Sequence, residues 1–400
     1  MKPKISFKGF KEPWEVSSLR NFFSKVNEKN ARMLYSAVLT NSAEYGIIDQ
    51  RDYFDFDVAN SNNISGYYIV QPDDFVYNPR VSVTAPVGPI NKNELGYTGV
   101  MSPLYLVFKI NRINKDYLCH YFKSNKWHKF MRISGNCGAR FDRLSISDEQ
   151  FVQMPIPYPI NSKEQQTICN YLEKIDKLIS TASSRLASLK QVKEASLQAM
   201  FPQKGETVPK IRFKGFEGEW VITKAAEIFK TVNERNFSGL PVLSATQDKG
   251  MVTRESIGYN IFHDKANEST YKHIRPGQFV MHLRSFQGGF AHSAIEGICS
   301  PAYTIMEFKD KEVNHDLYWK YVLASKHFIK SLEMITYGIR DGRTISFDEF
   351  KEMVFLVPKV EEQQHIASYF TSLDKQIALQ MQRLEKLKQI KAACLDKMFV

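Results

Sequence analysis

The chain is written twice. Residues 3–14, PKISFKGFKEPW, return at 209–220 as PKIRFKGFEGEW, with 8 of 12 positions identical. Residues 164–201 return at 362–399 with 18 of 38 positions identical and no gap. Between these anchors the likeness is weaker but keeps its order. VQPDDFVYNPRVS (70–82) matches IRPGQFVMHLRSF (274–286), Ser102-Pro103 matches Ser300-Pro301, and GARFDRLSIS (138–147) matches GIRDGRTIS (338–346). A duplication of this kind constrains the fold more than composition does, because each copy must build the same unit. The division it predicts is a block at 1–160, a long helix at 161–202, a second block at 203–360 and a second long helix at 361–400.

The two long segments read as helices. Ser162 with Gln165 three residues on is a capping-box signature, and Pro202 cannot continue a helical ladder. Ile168, Leu172, Ile175, Ile179, Ala182, Leu186 and Leu189 alternate spacings of four and three, a narrow seam of mean period 3.5. Ile366, Phe370, Leu373, Ile377, Leu384 and Leu387 hold the same places in the second copy, where Gln380 interrupts the seam with Met381 beside it. About 38 residues make a rod of roughly 57 Å, and its apolar stripe must be buried against something. The nearest partner is the other copy. An antiparallel pair would put the two blocks at opposite ends, and a parallel pair would put them at one end; the spacing leaves both open.

Each block is rich in short β-like runs: GYYIV (66–70), DFVYN (74–78), LYLVF (104–108), QFVMHL (278–283) and AYTIMEF (302–308). Amphipathic helices are expected at 116–132 and 316–333. The fold class is therefore α+β, with two mixed α/β globules of about 150 residues each. Lys and Arg number 54 against 43 Asp and Glu, a net charge of +11, which points to a polyanion, above all nucleic acid.

The duplication sorts the candidate contacts. Positions alike in both blocks serve what both must do, folding or touching a phosphate backbone. Arg80 and Arg284, Arg140 and Arg340, and Arg143 and Arg343 fall in this class, as phosphate contacts or structural ion pairs. Matching loops with different contents are where a difference in base preference would sit. TNSAEYG (40–46, with Thr40, Asn41 and Ser42) stands against SATQDKG (244–250, with Ser244, Thr246 and Gln247). Tyr77-Asn78 stands against Met281-His282, and SGNCG (134–138, with Asn136) against ITYG (335–338, with Tyr337).

No catalytic signature accompanies them. The chain has no G-x-x-x-x-G-K-[ST] loop, no strand-borne G-x-G-x-x-G, no H-E-x-x-H, no G-x-S-x-G and no Asn-Pro-Pro-aromatic motif. Asp264, Lys265 and Glu268 have the residue types of a metal-dependent nuclease cluster, but such spacings are common in loops. His263, His273, His282 and His292 lack ligand spacing. The five cysteines (Cys119, Cys137, Cys169, Cys299 and Cys394) form no Cys-x-x-Cys pair and read as small core residues. No metal and no cofactor is expected in this chain. No run of 18 apolar residues and no secretory leader is present, so the expected location is the cytoplasm, without membrane contact.

The PKIRFKGFEGEW opening, the Ser-Pro-x-Tyr strand, the R-x-x-x-I-S loop and the EQQ-x-I…LDK…LK-Q-IKAACLDKMF helix together resemble the specificity subunit of type I restriction–modification enzymes. The likeness spans the chain in order; KEPW (11–14) in place of the EGEW form at 217–220 is a small departure. The resemblance implies a non-catalytic subunit whose two blocks are target-recognition domains, each reading half of a bipartite, asymmetric site in double-stranded DNA. It implies that the two helices pair antiparallel as a spacer and that two methyltransferase subunits dock on that region. S-adenosylmethionine, ATP and Mg²⁺ would then sit on partner subunits, with restriction/translocase subunits completing the complex. Two other readings compete. One is an orphan DNA-binding or scaffold protein of the same architecture without methyltransferase partners, and the other is an unrecognised nuclease.

Overall fold

The computed structural model describes residues 1–53, 64–136, 142–203, 205–246, 248–257, 265–281, 290–335 and 346–400. The chain forms two compact units, Met1–Ser184 with Gln382–Val400, and Arg185–Met381.

In unit 1 the strands are β1 (Glu15–Ser18), β2 (Phe23–Lys25), β3 (Leu39–Ser42), β4 (Gly46–Asp49), β5 (Tyr68–Val70), β6 (Phe75–Tyr77), β7 (Ile90–Lys92), β8 (Gly99–Met101), β9 (Leu106–Ile110) and β10 (Pro155–Tyr158). The helices are α1 (Gln50–Tyr53), α2 (Lys115–Phe122), α3 (His128–Ser134), α4 (Asp148–Phe151) and the first part of α5 (Ser162–Ala199). An antiparallel sheet of order β2-β9-β6-β7 lies at the centre, with β1–β10, β3–β4 and β5–β8 as separate two-stranded pairs. Alternation along the central strands explains why both faces are covered. Phe75, Tyr77, Phe108 and Ile110 turn into the large core with Tyr117, Phe122 and Phe151. Val76 and Val107, one residue along, turn into a second core with Leu39, Ile47, Val70 and Met101.

Unit 2 repeats this plan. It contains β11 (Val221–Lys224), α6 (Ala225–Ile228), β12 (Phe229–Val232), β13 (Val242–Thr246), β14 (Gly250–Thr253), β15 (Lys272–Ile274), β16 (Phe279–Met281), β17 (Ala291–His292), β18 (Gly297–Cys299), β19 (Thr304–Phe308), α7 (Asp316–Val322), α8 (Lys326–Ile335), α9 (Phe347–Phe350), β20 (Val354–Val357) and the first part of α10 (Val360–Met398). Its central sheet has the order β12-β19-β16-β17. Phe279, Met281, Met306 and Phe308 face the large core, and Val280 and Ile305 face the small one. Here the hairpin joins the outer pair as a sheet β14-β13-β18-β15 through a parallel β13–β18 ladder. In unit 1 the same link is a single parallel bridge, Val38 to Val100.

Within each unit the two long helices run antiparallel. In unit 1, Ile168, Leu172 and Ile175 share a core with Cys394, Met398 and Phe399, and Lys391 pairs with Asp176. In unit 2, Met200, Leu197 and Phe201 meet Ile366, Ala367 and Phe370. There Lys193 pairs with Asp374 at 2.6 Å and Ser196 Oγ lies 2.9 Å from the Tyr369 hydroxyl. The seam keeps its phase. Gln380 is buried and Met381 is half exposed, so the polar residue holds the seam position rather than its apolar neighbour.

Two local expectations are corrected. The first concerns 116–132, which is not one helix but α2 and α3. Ser124 Oγ donates to Tyr121 O (2.6 Å) and Trp127 Nε1 to Phe122 O (3.0 Å), taking carbonyls that a continuing helix would use. The expected helix at 316–333 is likewise split into α7 and α8. The second concerns the cap of α5, which is Asn161 rather than Ser162. Asn161 Oδ1 accepts from Lys163 N at 2.9 Å. Gln165, read as the partner in a capping box, is turned into the unit: Oε1 accepts from Asn114 N (3.0 Å) and Nε2 donates to Pro159 O (2.8 Å). No described helix is long and apolar enough to cross a membrane.

On α2, His120 is 4% exposed, its Nδ1 has no partner among the described residues, and it lines a small polar cavity with Asp116, Lys123 and Asp176. Burial, aided by Lys123, lowers its pKa from 6.5 to about 4. The imidazole is thus neutral in the native state. Its contribution is fully present above pH 6.5 and is lost as the pH falls towards 4, by about 3 kcal/mol. Denaturant midpoints measured between pH 7 and pH 4 should therefore fall more steeply for the native sequence than for His120→Gln. Parallel curves for the two proteins would refute this assignment.

Candidate nucleic-acid interface

The described sequence candidates of unit 1 collect on one stretch of structure. The β3–β4 hairpin lies against β6, β7 and the loop between them, held by asparagines. Asn41 Nδ2 donates to Val76 O (2.7 Å) and Pro89 O (3.3 Å). Asn91 Nδ2 donates to Asn41 Oδ1 (2.7 Å) and to Ser42 O (3.2 Å), and Asn78 Nδ2 donates to Asn41 O (2.9 Å). Asn78 Oδ1 in turn accepts from Arg80 N at 3.0 Å. A chain of amides thus runs from the hairpin to the arginine-bearing loop.

That loop carries the most telling geometry. Arg80 and Arg143 face each other across an antiparallel bridge. Val81 N donates to Asp142 O (3.0 Å) and Leu144 N to Pro79 O (2.9 Å), so the two arginines form the non-hydrogen-bonded pair, the one whose side chains come closest. Like charges directly opposite destabilise such a pair unless an anion lies between them. Arg80 is exposed and has no carboxylate partner among the described residues. Arg143 is 39% exposed at its side chain, and its Nε is 4.0 Å from Asp142. Asn136, also exposed, exchanges both backbone hydrogen bonds with Ser145 (2.8 and 2.9 Å) and so sits beside Arg143 on a continuous ribbon. Exposed side chains of three candidates, Arg80, Arg143 and Asn136, are therefore gathered on one backbone layer.

Other candidates have scaffold partners. Asn41, Thr40 and Ser42 are buried. Thr40 Oγ1 lies 3.3 Å from the Tyr105 hydroxyl, and Ser42 Oγ accepts from Glu44 N (3.2 Å) and Tyr45 N (3.3 Å) in the hairpin turn. Tyr77 is buried and donates to Val87 O at 3.0 Å. In unit 2, Ser244 Oγ accepts from Arg254 Nε (3.3 Å), whose guanidinium stands 5.8 Å over the Tyr271 ring. Thr246 Oγ1 donates to Gly250 O (2.8 Å) and closes the β13–β14 turn. Arg140, Gln247, His282, Arg284, Tyr337, Arg340 and Arg343 lie outside the described residues, as do His263, Asp264 and Cys137.

His273, His292 and Glu268 have structural partners. His273 is buried, stacked on Phe237 at 3.9 Å, and held on both nitrogens, by Glu234 (3.1 Å) and Glu296 (2.8 Å). His292 Nε2 meets Asp316 Oδ2 at 2.8 Å, a contact that holds the Asp316 carboxyl below its usual range. Glu268 Oε2 accepts from Gly239 N at 3.3 Å. Cys119, Cys169, Cys299 and Cys394 are buried, and burial pushes the thiols of Cys169 and Cys299 up to about 12. Among the described residues no three His, Cys, Asp or Glu stand in a metal-holding group. The sequence reading missed Asn91 and Arg254. Neither lies in a matched segment, and their signal is three-dimensional.

Comparison with known proteins adds a family. The model described as type I restriction modification DNA specificity domain matches twice, over residues 11–191 and 217–389. Among solved structures, the type I restriction–modification system S subunit from M. genitalium is 12% identical with a TM-score of 0.60, covering 100% of this chain and 99% of that one. A chain from a structure of type I R-M complex assembly and conformational transition is 14% identical with a TM-score of 0.53, covering 97% and 98%. At these identities the likeness is one of fold.

The arginine loop depends on Gly88. Its φ is +80°, and a Cβ there would stand 2.0 Å from Asn78 O, the residue that orders Arg80. Gly88→Ala should cost about 1–3 kcal/mol in thermal unfolding and open the 78–89 loop to proteolysis. Unchanged stability and cleavage would contradict this account.

Proposed function

The chain belongs to the type I restriction modification DNA specificity domain family, and from that membership we propose that it is the sequence-reading subunit of such a system. Each unit binds one half of a bipartite, asymmetric site in double-stranded DNA. The paired helices serve as spacer and as docking ground for two methyltransferase subunits, with restriction/translocase subunits completing the complex. Adenine methylation takes the base out of the stack, so the catalytic centre belongs to a separate subunit held over each half-site. S-adenosylmethionine, ATP and Mg²⁺ belong to those partners, this chain is non-catalytic, and the assembly works in the cytoplasm.

One observation carries the reading. The two units share the order, register and core alternation of the central sheet, yet the polar residues of their hairpins are bonded differently, Asn41 to Val76 O, Pro89 O and Asn91 in unit 1 and Ser244 to Arg254 of its own hairpin in unit 2. A scaffold kept constant under differing loops is what two different half-sites require, and the net charge of +11 suits a phosphate backbone. In unit 1 the directly opposed residues Arg80 and Arg143 are the phosphate contact of this reading, because a bound anion would relieve the repulsion of two like charges at paired positions.

Sequencing methylated sites in cells with and without this chain tests the proposal directly. The expected result is a motif of two unlike half-sites that vanishes with the chain; a palindromic motif, or an unchanged methylome, would overturn it. For the phosphate contact, Arg80→Gln and Arg143→Gln should each lower the slope of log affinity against log salt by about 1 and leave the recognised sequence as it was. A changed motif with an unchanged slope would make these arginines base readers instead.

A further inference from the structure

The two units differ sharply on one face, the one built from β11, β20, the last turns of α5 and the turn between α7 and α8. Recurring hydrogen bonds fix which positions correspond. Asn114 N donates to Gln165 Oε1 and His315 N to Gln363 Oε1 (3.0 and 2.9 Å), so Tyr117 answers to Tyr318 and Tyr121 to Val322. In unit 1 this face is closed. Trp14 Nε1 donates to Glu164 Oε1 (3.1 Å), Tyr117 OH to Pro157 O (2.8 Å) and Tyr121 OH to Pro155 O (3.3 Å), with the Tyr121 ring against Phe399.

In unit 2 each of these closures is undone. Glu362, the counterpart of Glu164, is gripped on both oxygens by Arg212 (2.8 and 2.7 Å). Trp220 Nε1 is left with no partner among the described residues, and so is the Tyr318 hydroxyl, although the two residues are 4% and 0% exposed. Valine at 322 lacks the ring that fills this space in unit 1. What remains is a groove of about 1140 Å³ lined by Trp220, Ile222, Tyr318, Val322, Phe328 and Leu356. Beside it the ribbon is apolar and open: Val221, Ile222 and Val354 are 66%, 68% and 60% exposed, and where unit 2 has Val221 and Val354, unit 1 has Glu15 and Pro155. Lys190 and Lys330 stand at the rim without carboxylate partners among the described residues, whereas Lys193 and Lys326 are paired.

We propose that this groove receives an aromatic side chain of a partner polypeptide whose neighbouring residues are acidic, and that unit 2 alone provides such a seat. The cavity lies where unit 1 keeps its own tyrosine ring. The unpaired lysines complement carboxylates on the occupant, and an aromatic anchor in a desolvated pocket is the usual centre of a docking interface. Resting on the reading that methyltransferase subunits dock on this chain, the groove makes the two docking places unequal, with one copy held more tightly than the other.

Titration of the full chain with its methyltransferase subunit, followed by native mass spectrometry and sedimentation, tests this. The native chain should bind in two unequal steps. Val322→Tyr, which refills the groove with the ring of unit 1, and Ile222→Arg, on its exposed lip, should each weaken the tighter step about tenfold or more. Val16→Arg, at the position of unit 1 matching Ile222, should leave the tighter step unchanged. Melting curves at or above that of the native chain for Val322→Tyr show that the variant is folded. Two equal steps, or native affinity in both groove variants, would overturn the groove proposal and leave the family reading intact. A native chain that binds no methyltransferase would overturn both.

Discussion

A buried glutamine holds each long helix to its globule, and the rest of the architecture depends on that tie. Gln165 and Gln363 are buried at the first turns of α5 and α10. Each accepts from the backbone at the start of a short helix packed on the central sheet and donates to the carbonyl just ahead of its own long helix. Gln363 adds a third bond, to Val313 O. A buried amide with every group satisfied is worth more than its net hydrogen-bond energy, because any other direction of the helix would strand it. The tie fixes the azimuth of the helix, and the azimuth decides which stripe meets the antiparallel partner.

Much of this was legible in the letters. Period-2 runs located the central strands, because Phe75-Val76-Tyr77 and Phe279-Val280-Met281 feed two cores on alternate residues. The seam was legible too, since spacings of four and three survive in the burial of Ile168, Leu172, Ile175, Ile366, Phe370 and Leu373. Illegible were side chains that compete with the backbone. Ser124 and Trp127 end α2 by capturing carbonyls, and nothing in an amphipathic pattern announces that. Asn161 in place of Ser162 as the cap is a choice between neighbours that share the same chemistry.

The candidate site divided along the same line. Matched arginines could be picked from the repeat, but not that Arg80 and Arg143 stand opposite each other, since they meet only through a bridge between distant loops. Asn41 read as a polar loop residue because its neighbours are polar. The hairpin folds over β6 and β7, and the amide is consumed inside. The opening of the unit 2 groove was also written in the sequence, in the arginine of PKIRFKGF where the first copy has Ser6. That this arginine would draw Glu362 away from Trp220 is visible only in three dimensions.

Ile5 N bonds to Lys397 O in unit 1 just as Ile211 N bonds to Ala199 O in unit 2. The contact is the same, but the loop it closes spans about 390 residues in one case and about 12 in the other, a difference of roughly 3 kcal/mol in closure entropy. The half that leaves the ribosome first therefore has to wait for the last helix before its seam can be sealed, while the half made later can shut around its own short connector. Translation order and completion order are reversed in this chain.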